Sequence, residues 1–148
     1  MDKHVEEVYT KIAEKMWTFF PKEASCINYY AQLFNENSGY TIDFIVDDEV
    51  KWFGFRETPE AAADILVLLE NIKSLPPFVG KEQWTHCHIS LLNSGKLNIK
   101  FAYIFEDDSW PNLFMKGISD LTEEEAEHVY YVPKEIWEER VRLKNQAF

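Results

Sequence analysis

Glycine, cysteine and basic residues are all scarce in this chain, and each scarcity removes a class of function. The 148 residues include five glycines. None lies in a cluster that could cradle a phosphate with backbone N–H groups, and no GxxxxGKS/T or GxSxG signature occurs. The two cysteines, Cys26 and Cys87, make no CxxC pair. Both fall in strand-like segments and read as solitary buried thiols suited to a reducing compartment, with a disulfide between them left open. No run of about 18 apolar residues exists, which argues against a transmembrane helix and a membrane partner. Lysine and arginine total 15 against 26 aspartates and glutamates, a net charge of −11. Phosphate neutralisation needs clustered cations, so direct nucleic-acid binding is disfavoured and a basic protein partner is easier to accommodate.

Apolar residue types make up 46% of the chain and aromatics 16%, enough buriable surface to offset chain entropy, so the chain is expected to fold. Its length suits one domain spanning residues 1–148. The opening MDKHVEEVYTKIAEK is charged and amphipathic without a signal-peptide core, so a cytoplasmic address is expected.

Hydrophobic spacing gives the order of elements. Val5, Val8, Ile12, Met16 and Phe19 share one face of a first helix that Pro21 ends. Residues 26–34 and 40–46 read as strands around the turn Asn35-Glu36-Asn37-Ser38-Gly39, and residues 50–55 as a third strand after Asp47-Asp48. Thr58-Pro59 reads as the start of a second helix carrying Ala62, Ile65, Leu66, Leu69 and Ile72, closed by Pro76-Pro77. Residues 84–92 and 97–105 form the clearest hairpin. Leu97, Ile99, Phe101, Tyr103 and Phe105 alternate, which places all five on the core face. Thr122-Glu123-Glu124-Glu125 has the form of a capping box opening a short helix to about Tyr131, and Pro133 starts a last one. The expected fold is α+β: a mostly antiparallel sheet of about five strands with helices packed on it, in the order α-β-β-β-α-β-β-α-α.

Two groups invite a catalytic reading. His86 and His88 point to one face of a strand and could share a zinc ion, but a third ligand is missing and Cys87 points the other way; partly buried or solvated sheet histidines are the better reading, and no metal is assigned. Glu106-Asp107-Asp108 could hold Mg²⁺ or divide into general acid and base, yet adjacent carboxylates in an open loop are usually solvated. With no catalytic constellation, no enzyme activity and no cofactor are expected.

Recognition uses more of the features. Residues 105–127 hold Glu106, Asp107, Asp108, Asp120, Glu123, Glu124, Glu125 and Glu127 against Lys116 alone. Carboxylates beside an exposed aromatic can steer a basic partner and then anchor to it. Trp110 could be that anchor or, equally, a lid on the core over a merely solubilising turn. The candidate partner-binding residues are therefore Glu106, Asp107, Asp108 and Trp110, with Asp47, Asp48 and Glu49 as a second acidic group.

Tyr9-Thr10-Lys11-Ile12-Ala13 leading to Phe20-Pro21-Lys22-Glu23, an aromatic strand pair, then Trp84 ahead of the segment from Leu91 to Tyr103, resembles the YezG-like immunity proteins over about residues 8 to 140. The chain departs from the family in having Ala24 where a tryptophan is common, and in an expanded acidic segment. The resemblance implies a non-enzymatic cytoplasmic antidote that binds the C-terminal domain of a cognate polymorphic or contact-dependent toxin, commonly a nuclease. A nuclease needs a basic cleft, which an acidic protein can cover. An adaptor or chaperone-like module for another basic protein is the alternative, and a metal-dependent hydrolase using His86 and His88 the third. The cognate toxin and the oligomeric state are not legible in the sequence.

Overall fold

A computed structural model describes residues 3–34, 37–54, 56–75 and 83–146. Helix α1 (Lys3–Thr18) buries Val5, Ile12 and Met16, one stripe of the expected amphipathic face. Five strands follow around a second helix: β1 (Cys26–Leu33), β2 (Ser38–Val46), β3 (Glu49–Trp52), α2 (Ala61–Lys73), β4 (His86–Leu92) and β5 (Leu97–Ala102). They form one antiparallel sheet in the order β3-β2-β1-β4-β5. The fold is thus α+β, and β1 is its central strand.

Register explains which residues enter the core. Tyr29 faces Ile42 on one side and Ile89 on the other, and Ile89 faces Ile99. Odd residues of β1, β4 and β5 and even residues of β2 therefore share one sheet face. Helices α1 and α2 cover that face, bringing Ile12, Met16, Ile65, Leu69 and Ile72 against Ile27, Tyr29, Leu33, Ile89 and Leu91. Full burial of each such side chain contributes about 1.5–3 kcal/mol. The Tyr29 hydroxyl, fully enclosed, donates to the Ala62 carbonyl at 2.8 Å and fastens α2 to the central strand. Cys87 lies on this face and Cys26 on the other; both are free, buried thiols, and burial pushes the Cys87 thiol up to about 12.

The remaining chain folds over part of the second face. Short 3-10 turns at Glu106–Asp108 and Ile118–Asp120, a π-helical turn at Glu125–Val129, and helix α3 (Lys134–Gln146) enclose a second core of Leu113, Ile118, Leu121, Ala126 and Val132. Phe114 joins this cap to the sheet, its ring centroid 5.8 Å from that of Tyr30 and 6.3 Å from that of His86.

Several expectations shift. Strand β5 ends at Ala102, so Tyr103 and Phe105 are exposed at 45% and 64% while Ile104 is buried. The cause is a tertiary contact: the Thr85 hydroxyl accepts the Ile104 N–H at 2.8 Å, drawing the chain off the ladder and inverting the alternation. Strand β4 starts at His86 rather than Trp84, and α2 at Ala61, two residues past Pro59. The penultimate helix is a single π turn, opened by the expected capping box: Thr122 N–H donates to Glu125 at 2.9 Å, and Glu125 N–H to the Thr122 hydroxyl at 3.1 Å. The β3 ladder stops at Trp52. Phe55, Asn35-Glu36 and Pro76-Pro77 lie outside the described residues.

Asp47 and Asp48 form the two-residue loop between β2 and β3, with φ of 52° and 65°. Two successive left-handed residues define a type I′ turn, which matches strand twist but favours Asn-Gly over Asp-Asp. Asp48→Gly is expected to raise stability by about 0.5–1 kcal/mol. The check is a higher urea midpoint at unchanged slope.

Candidate functional site

The acidic segment divides into carboxylates that hold the cap together and carboxylates that face solvent. Asp108 belongs to the first group. One of its oxygens accepts the Ser119 N–H at 3.0 Å and the Arg140 Nε–H at 3.2 Å, and the other accepts the Ser119 hydroxyl at 2.8 Å. The side chains of Asp108 and Arg140 are 13% and 21% exposed, so this pair is shielded and structural. Gly117 is required beside it, because a Cβ there would overlap the Asp108 carboxylate, reaching within 2.6 Å of its Cγ. Asp120 accepts the Gly117 N–H at 2.9 Å and pairs with Lys144. Burial alone would raise the pKa of Asp120, but Lys144 and the Gly117 N–H outweigh it and hold the carboxyl below its usual range. Glu125 is held low chiefly by the Thr122 N–H, and Lys116 lies 3.5 Å away.

Trp110 is a lid. Its indole N–H donates to the Tyr130 carbonyl at 2.7 Å and its ring packs on the second core. Its free flank lines an open, uncharged cleft with Gln32, Tyr40, Asn112 and Phe114. Asp108, expected at a binding surface, is thus engaged by Ser119 and Arg140 inside the cap, and Trp110, read equally as anchor or lid, packs on the second core.

What faces solvent is Glu106, Asp107, Glu123, Glu124 and Glu127. Among the described residues no ion pair reaches the first four, and Glu127 lies 3.7 Å from the exposed His128. Exposed aromatics accompany them: Phe105 at 64% precedes Glu106, and Tyr131 at 76% follows the π turn. The Trp110–Tyr130 hydrogen bond ties these two stretches together. The exposure of Phe105 and Tyr131 was not legible in the sequence. Phe105 was masked by the alternation of the strand before it, and Tyr131 is turned outward by a left-handed backbone, φ 55°. Asp47, Asp48 and Glu49 are also exposed, at the β2–β3 turn.

The second sheet face carries a polar chain that residue spacing did not reveal. Asp43, Asn28 and His88 come from three neighbouring strands. The Asn28 amide nitrogen donates to Asp43 at 2.8 Å, and Asn28 Oδ1 lies 2.9 Å from His88 Nε2. An ionised carboxylate only accepts, so Asn28 turns its NH₂ to Asp43 and its oxygen to His88; Nε2 then carries the proton, and Nδ1 is the acceptor. Tyr30 stacks on His88 with centroids 4.4 Å apart. Burial and Lys100 lower the His88 pKa against the pull of Asp43, keeping the ring neutral. His86, expected on a wet face, is fully buried beneath Phe34 and Phe114. Its Nδ1 lies 2.8 Å from the Thr85 hydroxyl, and its Nε2 has no hydrogen-bond partner among the described residues. Burial, with Lys73 adding to it, lowers its pKa to about 4. Among the described residues, no group of three or more His, Cys, Asp or Glu could hold a metal ion. No helix among them is long and apolar enough to cross a membrane.

The chain matches no protein-family model, and a search of curated proteins found no match.

The two classes of carboxylate should separate on mutation. Asp108→Ala leaves Arg140 shielded and unpaired and is expected to destabilise by about 3 kcal/mol, whereas Asp107→Ala should stay within about 0.5 kcal/mol. Chemical denaturation of the two variants measures the difference. His86 adds a pH signature: below the unfolded value of 6.5 the unfolded chain binds a proton that the folded chain refuses until about pH 4. Stability should fall by roughly 3 kcal/mol across that window. Denaturation of His86→Leu over the same range should show a flatter profile.

Proposed function

We propose that this chain is an immunity protein, a cytoplasmic binding protein that neutralises a cognate toxin domain with a basic active-site cleft, such as a nuclease. The observation that carries the proposal is the cap surface: Glu106, Asp107, Glu123 and Glu124 are exposed and make no ion pair among the described residues, and Phe105, next to Glu106, and Tyr131, after the π turn, are exposed as well. Unpaired carboxylates project a negative field that accelerates encounter with a basic partner. Exposed aromatics then supply the buried contact that slows dissociation. The braced Asp108–Arg140 pair holds this surface in one shape before binding, so little ordering entropy is lost on association. The resemblance to YezG-like immunity proteins supports the same reading.

The interface centres on Glu106, Asp107, Phe105 and Tyr131, with Asp47, Asp48 and Glu49 as the secondary acidic group. Asp108 and Trp110 contribute by holding the surface rather than by touching the partner. No catalytic step is assigned to the Asp43–Asn28–His88 chain.

The test is charge reversal that spares the brace. The double variant Glu106→Lys/Asp107→Lys is expected to associate with the toxin domain encoded by the neighbouring reading frame about tenfold more slowly at low salt, with the difference shrinking as salt is added. Its melting temperature should stay that of the unaltered protein. An unchanged association rate would remove this surface from the interface, and full binding by Phe105→Ala/Tyr131→Ala would remove the anchors.

A further inference from the structure

Strand β3 leaves one edge of the sheet open, and we propose that its occupant is the β3 strand of a second copy of this chain, paired antiparallel about a twofold axis at Val50. All four residues of β3 are exposed, with Val50 at 49% and Trp52 at 62%. Apolar side chains on an uncovered edge are a template for strand addition.

Backbone geometry limits how a strand can add. The two-residue turn makes Val46 and Glu49 the first pair of the β2–β3 ladder, and in such hairpins this closing pair exchanges both of its hydrogen bonds. Bonded pairs then alternate, so Phe44–Lys51 is bonded, and the N–H and C=O groups of Val50 and Trp52 point away from β2. A self-paired strand must use those outward groups, which leaves twofold registers centred on Val50, Lys51 or Trp52. Centring on Lys51 sets two ammonium groups opposite each other. Centring on Trp52 draws on residues past the end of the ladder. Centring on Val50 lets Val50 exchange both hydrogen bonds with its own counterpart, and it sets Glu49 opposite Lys51 of the second copy twice over.

Side-chain parity strengthens that register. Val50 and Trp52 project from the same sheet face as Ile45 and Asp43, their ladder partners, and Glu49 and Lys51 from the other. Trp52 would then lie diagonal to Val50 of the second copy, giving four apolar side chains on one face and two carboxylate–ammonium pairs on the other. An open cleft bounded by Pro21, Lys22 and Glu23 runs beside Glu49 and Lys51, so none of the described residues covers them there. A lysine in an edge strand normally guards it against pairing, because an incoming strand must bury or oppose the charge. Here the strand that best answers Lys51 is one presenting a carboxylate two residues before its own lysine, which is this strand. The interface is isologous and closes at two chains.

A short ladder between two chains of charge −11 implies weak association, with a dissociation constant on the order of 0.1 mM. Sedimentation velocity on the full chain from about 10 μM to about 1 mM should show the mass rising toward twice that of one chain. Glu49→Lys and Lys51→Glu should each remain monomeric over that range, and the double variant Glu49→Lys/Lys51→Glu should recover the dimer. A wild-type chain that stays monomeric, a single variant that dimerises as well as wild type, or a double variant that stays monomeric would each overturn the proposal. The double variant keeps both charges in exchanged places, so it decides the matter even if one single variant loses its hairpin.

Discussion

The central strand must be covered on both faces, and most of the architecture answers that demand. Six of the eight residues of CINYYAQL in β1 are buried. One face meets the two-helix layer, where Tyr29 is the fully enclosed pivot. The other face cannot be apolar throughout, because Asn28, Asp43, His86 and His88 stand on it. It is satisfied instead by hydrogen bonds and ring stacking, and at the His86 end by the cap that Phe114 inserts. The long C-terminal segment is a second layer with its own small core, and the acidic surface is the outer side of that layer.

This division explains where the negative charge sits. A cap must present a polar exterior, and carboxylates supply it at the turns. Three of them, Asp108, Asp120 and Glu125, also satisfy backbone N–H groups that the short 3-10 and π turns leave without helical partners. Among the described residues, Glu106, Asp107, Glu123 and Glu124 make no ion pair. An acidic cluster in a sequence is therefore a mixture, and only contacts distant in sequence sort it: Asp108 is disarmed by Arg140, 32 residues away.

The core was legible in the sequence because it follows periodicity. The stripes of α1 and α2, the hairpins and the capping box at Thr122 all depend on near neighbours, and each appears in the structure. What escaped depends on tertiary partners. The exit of the chain after Ala102 is set by a threonine hydroxyl at position 85, so Tyr103 and Phe105 turned outward against their pattern. The burial of His86 comes from Phe114, and the lid role of Trp110 from the Tyr130 carbonyl. The Asp43–Asn28–His88 chain spans three strands and has no sequence spacing of its own, since Asn28 and His88 lie 60 residues apart.

The strand order carries one more consequence, for the path by which the chain reaches this form. Strands β1, β2 and β3 make a meander, and β4 with β5 makes a hairpin. Each can zip from its own turn at small loop-closure cost. The two units meet along the β1–β4 ladder, with helix α2 threaded between them in sequence. That seam joins residues some 60 positions apart, so it concentrates the non-local contacts that slow folding. It also brings Tyr29 against Ile89 and His88 against Asn28, so the helix-side core and the polar chain of the opposite face are completed in one event.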